Sequence, residues 1–222
     1  MPLTQRPDLS KRAFARTNSQ TIEQRAAILR ELVPDITSVA EICCGDCARQ
    51  WIMYKRMLGV TVFRGLDIEP EIVSANRTRG IDCVPGDALD AAVMAQFLPF
   101  DVVFFGPPLS VACDGHSALP FRSVVPSFSA FTQLFLGQMG YDGLLVCITP
   151  KTAHMGDIHR LYAHIKTQRP DMGLHLIHTS YAARTGHDEL TATRLKYVEL
   201  WLSSKLDDAW TIRQSRPTTE TG

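Results

Sequence analysis

The 222-residue sequence predicts an α/β fold, a doubly wound sheet that is mostly parallel with an antiparallel C-terminal strand. Three observations carry that prediction. From residue 36 onward, short apolar runs with strand character alternate with stretches of helical period, and right-handed crossovers then place helices on both faces of a sheet. Glycine or proline stands at the junctions, at Pro34, Gly59, Gly80, Gly86 and Gly106, ending one element and opening the next. The last two strand-like runs, 174–180 and 195–202, have only a polar segment containing Gly186 between them, so they pair antiparallel without a crossover helix.

Taken in order, residues 21–32 place Ile22, Ala26, Ala27, Leu29 and Leu32 near helical spacing before Pro34 stops the helix. Residues 36–42 are a short buried strand, 48–58 a helix closed by Gly59, and 60–66 a second strand. A helix over 71–79 ends at Gly80, a third strand over 81–84 runs into Gly86-Asp87, and a helix follows over 88–97. The fourth strand, 100–105, is terminated abruptly by Gly106-Pro107-Pro108. Residues 109–126 have no periodicity, and so long a loop in a compact domain is more often functional than idle. A helix over 127–139, a strand over 143–149 and a helix over 157–167 complete the alternation. The expected organisation is a polar leader over 1–20, one domain over 21–205 with five parallel strands plus the antiparallel pair, and a C-terminal tail over 206–222 that is disordered from about residue 214.

Lys plus Arg and Asp plus Glu both number 23, so net charge selects no polyanionic, membrane or acidic partner. Arg6, Lys11, Arg12 and Arg16 stand against Asp8 in the leader, a basic cluster that either contacts a polyanion or is simply solvated. No apolar stretch reaches the roughly 18 residues of a membrane span, and no signal-peptide core is present. A cytoplasmic protein without membrane association is expected. Cys43, Cys44 and Cys47 crowd one turn while Cys83 and Cys147 lie in apolar runs, which suits reduced thiols rather than a disulfide framework. Cys44 and Cys47 have the spacing of half a zinc site, but no second pair lies nearby, so no metal is expected.

In open α/β sheets ligands bind beyond the carboxyl ends of the strands. Those ends carry Glu41-Ile42-Cys43-Cys44-Gly45-Asp46-Cys47, Asp67, Asp87 and Gly106. Gly45 allows a backbone turn to approach a ligand closely. Asp67, 22 residues later, is placed to accept hydrogen bonds from two ribose hydroxyls. A single glycine and the extra anion Asp46 disfavour a pyrophosphate and suit a nucleoside with a cationic amino-acid tail.

At these residues the chain resembles the class I, Rossmann-like S-adenosylmethionine-dependent methyltransferases over roughly residues 36–203. Glu41 to Cys47 is similar to the family's acidic-x-Gly-x-Gly-x-Gly motif, with Cys43 and Cys47 in place of the first and third glycines. Asp67 is similar to the family's ribose-binding acid, and Gly86-Asp87-Ala88 to the segment whose Asp contacts the adenine amine. The resemblance implies S-adenosyl-L-methionine as cofactor, held by Glu41, Cys43, Gly45, Asp46, Asp67, Ile68, Asp87 and Ala88, and a last strand that runs antiparallel. Trp51 and Tyr54, at helical spacing, are read as core.

Phe105-Gly106-Pro107-Pro108-Leu109 resembles the Asn/Asp-Pro-Pro-Tyr/Phe motif of methyltransferases that modify amino groups, commonly in nucleic-acid bases. Gly106 replaces the amide or carboxyl and Leu109 the aromatic residue, so only the backbone carbonyls and the two prolines carry over. The expected acceptor-side residues are Gly106, Pro107 and Pro108, with Asp114 and His116 as a pair able to orient an imidazole as base. The alternative for Asp114-Gly115 is a plain turn. Phe121 is read either as a stacking residue or as the hydrophobic anchor of a loop, while Arg122, Lys151, Arg184, His187 and Arg194 either face a polyanionic acceptor or are solvated. The resulting expectation is a methyltransferase acting on RNA or DNA, with a small-molecule methyltransferase and a non-catalytic cofactor-binding module as alternatives.

Overall fold

The computed structural model describes residues 19–109, 121–150, 153–185, 189–207 and 211–215, with side chains described except at 122, 150, 179–185, 189–197 and 211–215. The chain alternates α1 (Ser19–Leu32), β1 (Ser38–Ile42), α2 (Ala48–Leu58), β2 (Val62–Asp67), α3 (Pro70–Thr78), β3 (Asp82–Pro85), α4 (Ala91–Met94) and β4 (Val102–Phe105). It continues through α5 (Phe128–Thr132), β5 (Leu144–Pro150), α6 (Met155–Gln168), β6 (Gly173–Thr185), β7 (Glu189–Ser203) and β8 (Thr211–Ser215). All eight strands form one sheet in the order β3-β2-β1-β4-β5-β7-β6-β8. β7 is antiparallel to both β5 and β6, and the other pairings are parallel.

Strand parity divides the core into two layers. Ala40, Ile42, Leu66, Val103, Phe105, Leu145 and Leu200 pack with Met94, Phe128, Phe131, Ile158 and Leu161, which come from α4, α5 and α6. Val39, Phe63, Val102, Phe104, Val146 and Trp201 face the opposite way, toward Ile22 and Leu29 of α1, Tyr54 of α2 and Val73 of α3. Every residue of β4 is buried, as an unbroken Val-Val-Phe-Phe run at the sheet centre requires. Among the described residues no helix is long and apolar enough to cross a membrane.

Three elements differ from the sequence expectation. The helix expected over 88–97 is only α4 and a 3₁₀ turn at Ala95–Phe97, because Asp87 accepts from the Leu89 amide and Asp90 from those of Ala92 and Val93. These side chains compete for the first turn and delay the helix start. The helix expected over 127–139 is α5, N-capped by Ser127, continued as a π-helix over Gln133–Gln138. Where a tail was expected, Thr211–Ser215 adds β8 along β6, pairing His175 with Thr211 and Thr179 with Ser215.

Candidate functional site

Strand order reverses between β1 and β4, since the chain builds outward to β2 and β3 on one side before crossing back to β4. The crevice beyond the carboxyl ends of these two strands is therefore where an open sheet receives a ligand. The Gly106 amide donates to the Ile42 carbonyl at 3.1 Å and the Cys44 amide to the Leu66 carbonyl at 2.9 Å, so three strand ends are tied together at its floor.

The turn after β1 needs left-handed backbone twice, at Cys43 (φ 59°) and at Gly45 (φ 52°). A non-glycine residue there carries strain that the surroundings must hold in place. They do so through Asp67. Its Oδ2 accepts from the Gly45 amide at 3.0 Å and its Oδ1 from the Glu69 amide at 3.1 Å. Asn76 Nδ2 donates to the Gly45 carbonyl at 2.8 Å, and Arg79 pairs with Asp46 at 2.7 Å. Asp46, expected as an extra anion that suits a cationic ligand, is also engaged by Arg79 at α3's C-terminal end and by the Ala48 amide.

Behind the turn lies a packed thiol cluster. Cys44 Sγ and Cys83 Sγ stand 3.7 Å apart, and Gly65 on the intervening β2 makes room for both, since a Cβ there would come within 2.9 Å of Cys44 Sγ. Cys47, at the position where the third glycine was expected, caps α2 with its side chain fully buried. The cysteine packs in the layer with Ile22, Tyr54 and Val73. Cys43 packs against the layer of α4, α5 and α6, and burial together with the charges of Asp67 and Asp87 pushes its thiol well above the usual range, so it stays protonated and brings no charge.

Glu41 and Asp67 are buried, Asp87 is exposed in its turn with Leu89, and Ile68 is 60% exposed although apolar. Ala88 is buried. One carboxyl oxygen of Glu41, Oε1, has no hydrogen-bond partner. Burial pushes this carboxyl up to about 8 against the opposing pull of the Arg25 guanidinium. An orphaned acid, two carboxylate oxygens on Asp67 that each keep a lone pair, and an exposed apolar side chain beside them suit an ammonium, a ribose diol and a flat base respectively.

On the acceptor side Pro107 is buried and Pro108 exposed, and a Cβ at Gly106 would meet only Ile148 Cδ1, at 3.3 Å. Phe121 stacks on Phe128 with ring centroids 4.8 Å apart, which makes it an anchor in the core. Tyr54 is buried and stacked on Phe104, and Trp51 on Phe63. Cys113, Asp114, His116, Lys151 and His187 lie outside the described residues, as does the side chain of Arg122, and of Arg184 and Arg194 only the strand backbone in β6 and β7 is described. Sequence reasoning missed Asn76 and Arg79, which hold the turn, and Arg25, which acts on Glu41. Asn76 and Arg79 follow Asp67 at the end of one helix, a signal that was available; Arg25 had none.

No protein-family model and no curated protein sequence matches the chain. Solved structures do. The plantazolicin methyltransferase BpumL, in complex with SAH, is 13% identical with a TM-score of 0.55, covering 82% of each chain. The methyltransferase domain of bacterial CtHen1 is 9% identical with a TM-score of 0.54, over 83% of this chain and 97% of that one. The Spodoptera frugiperda DNMT2 mutant is 14% identical with a TM-score of 0.50, over 82% of this chain and 56% of that one. The chain therefore has the class I S-adenosylmethionine-dependent methyltransferase fold, with the seven-strand order 3-2-1-4-5-7-6 and one further strand at the edge.

Proposed function

We infer that the protein is an S-adenosyl-L-methionine-dependent methyltransferase whose acceptor is a nucleobase of RNA or DNA. The observation that carries the cofactor reading is the unpartnered Glu41 Oε1, buried at the end of β1 beside the turn that Asp67 holds. When bound, S-adenosylmethionine supplies a methyl group on a sulfonium, an excellent leaving group. Glu41 would take the ammonium of its amino-acid part, and the spare lone pairs of Asp67 would take the ribose hydroxyls. Ile68 and Ala88 would lie against the base and Asp87 would accept from its amine. Cys43 and Gly45 contribute backbone, and Asp46 serves by holding the turn to Arg79.

Gly106-Pro107-Pro108 keeps the chain after β4 extended, leaving its carbonyls to accept the hydrogens of an amino group and direct the lone pair outward. Transfer to a well-aligned acceptor then needs positioning more than acid or base help, and the one proton the acceptor loses goes to His116, as an imidazole base oriented by Asp114. Gly106 also favours a second reading, a small-molecule acceptor already nucleophilic without side-chain assistance.

Radiolabelled methyl transfer to separate pools of tRNA, rRNA, DNA, protein and small metabolites tests the acceptor. Label in a nucleic-acid pool is expected; label confined to small metabolites selects the second reading. Asp67→Ala should weaken S-adenosylmethionine about a hundredfold, two charge-assisted hydrogen bonds at the low end of their range. Unchanged affinity by isothermal titration rejects the ribose role.

A further inference from the structure

We propose that Arg25, carried on α1, is a positioning residue for Glu41, holding its carboxyl ready to take the ammonium group of the bound cofactor. This rests on the cofactor reading above. Sheet register fixes the geometry. On the face toward α1, Glu41 lies between Gly65 of β2 and Phe104 of β4, and across β5 and β7 the same row continues with Val146 and Trp201. Arg25 spans this row. Its guanidinium sits 5.3 Å from the centre of the Phe104 ring and reaches Glu199 Oε1 through Nε at 2.9 Å and Nη2 at 2.8 Å. Glu199 Oε2 in turn accepts from Trp201 Nε1 at 3.1 Å. Arg25 and Glu199 are both buried, so the guanidinium is fixed in place.

The charged and titratable groups acting on Glu41 come from two of the packed helices: Arg25 of α1, and Tyr54 of α2. β2 and β4 oppose it with a glycine and a phenylalanine, and Glu199 of β7 is already taken by Arg25. A buried cation neighbouring a carboxyl that has an unfilled oxygen is an arrangement for holding that carboxyl ionisable, not merely for closing a pair. Removing the guanidinium would leave Glu41 a neutral acid at every pH of interest, because burial alone favours the protonated form. With Arg25 present, its proton leaves near pH 8, or earlier when an ammonium arrives. Cofactor capture then releases a proton below that pH. Thr21, one turn earlier on α1, also buries a hydroxyl without a partner, so the same helix brings a second polar group to this face.

The test is isothermal titration from pH 6 to 9 with S-adenosylhomocysteine, which carries the ammonium, and with 5′-methylthioadenosine, which lacks it. For the wild-type chain, S-adenosylhomocysteine affinity should rise by up to about tenfold per pH unit and level off near pH 8, as one linked proton requires, while methylthioadenosine stays flat. Arg25→Met combined with Glu199→Met removes the ion pair as a unit, a change buried cores often accept, and thermal melting checks that the variant folds. It should move the S-adenosylhomocysteine profile to higher pH and weaken binding at least tenfold at pH 7.5, with methylthioadenosine unchanged. Glu41→Gln, in which Arg25 stays paired, should abolish the pH dependence. Equal losses for both ligands in the double variant, or a pH-flat wild-type profile, would overturn the proposal and leave the cofactor reading standing. Binding of neither ligand by the wild-type chain would overturn the cofactor reading and this proposal with it.

Discussion

Glu41 in β1 and Cys43 in the turn that follows it both carry stability costs. Glu41 keeps its proton to about pH 8, against an ordinary value of 4.5. Stability is therefore full below the ordinary value and declines as pH rises between the two, at a limiting slope of about 1.4 kcal/mol per unit. Glu41→Gln should melt close to wild type at pH 5 and increasingly above it toward pH 8.5; a constant gap across that range would show that the carboxyl's charge is not the cost. Cys43 is the second case. Its φ of 59° costs an L-residue roughly 1–2 kcal/mol, and a β-branched side chain cannot adopt it without more. Cys43→Gly should retain the fold and its affinity for S-adenosylhomocysteine, whereas Cys43→Val should lose about 2 kcal/mol in urea titration and weaken the ligand. The likeness of this turn to a glycine motif was legible in the sequence at Gly45. That a cysteine is held in the left-handed conformation at 43 was not, because it depends on Asp67 and Asn76 gripping the turn from other elements.

Elements with a single clear period were readable in advance, and those where side chains compete with backbone were not. β4 and α2 follow directly from an apolar run and from helical spacing closed by Gly59, whose amide donates to the Lys55 carbonyl at 3.2 Å. The short α4 was hidden because Asp90 read as a helix residue, while its carboxylate and that of Asp87 take amides the expected helix would use. Asp101 likewise sat inside a strand-like run, yet its Oδ2 accepts from Thr37 N and Oγ1 and from Ser38 N and Oγ, all at 2.8–3.0 Å. It fastens the start of β4 to the start of β1, opposite the crevice. Partial burial works against its charged form, and these four bonds outweigh it, so its carboxyl lies below the usual range. The stabilisation is present above the unfolded value near 3.8 and is lost as pH falls through the folded one. Asp101→Ala should cost about 2 kcal/mol at neutral pH by urea unfolding, with the difference from wild type shrinking in acid; an unchanged midpoint would mean the four donors find water equally well.

At the scale of the molecule, what the sequence concealed is long-range. Arg25 and Glu199 are separated by 174 positions, and nothing local in either segment announces the other. β8 was hidden for a different reason: Thr211–Ser215 is a five-residue strand after a polar stretch, too short for period alone to separate it from a tail. Its place in the sheet predicts its importance. Between β8 and the β1–β4 crevice stand β5, β7 and β6, so its pairing with β6 has no direct route to the ligand. It does cover the edge of a 13-residue strand, and an uncovered edge is a template for pairing with other chains. A chain ending at Asp207 should therefore bind S-adenosylhomocysteine within about twofold of the full chain by titration, since sites without shared partners behave independently. It should also associate in a concentration-dependent way by sedimentation, as β6 finds a replacement neighbour. Loss of ligand affinity in the monomeric truncated chain would show instead that β8 supports β7, and through Glu199 the position of Arg25.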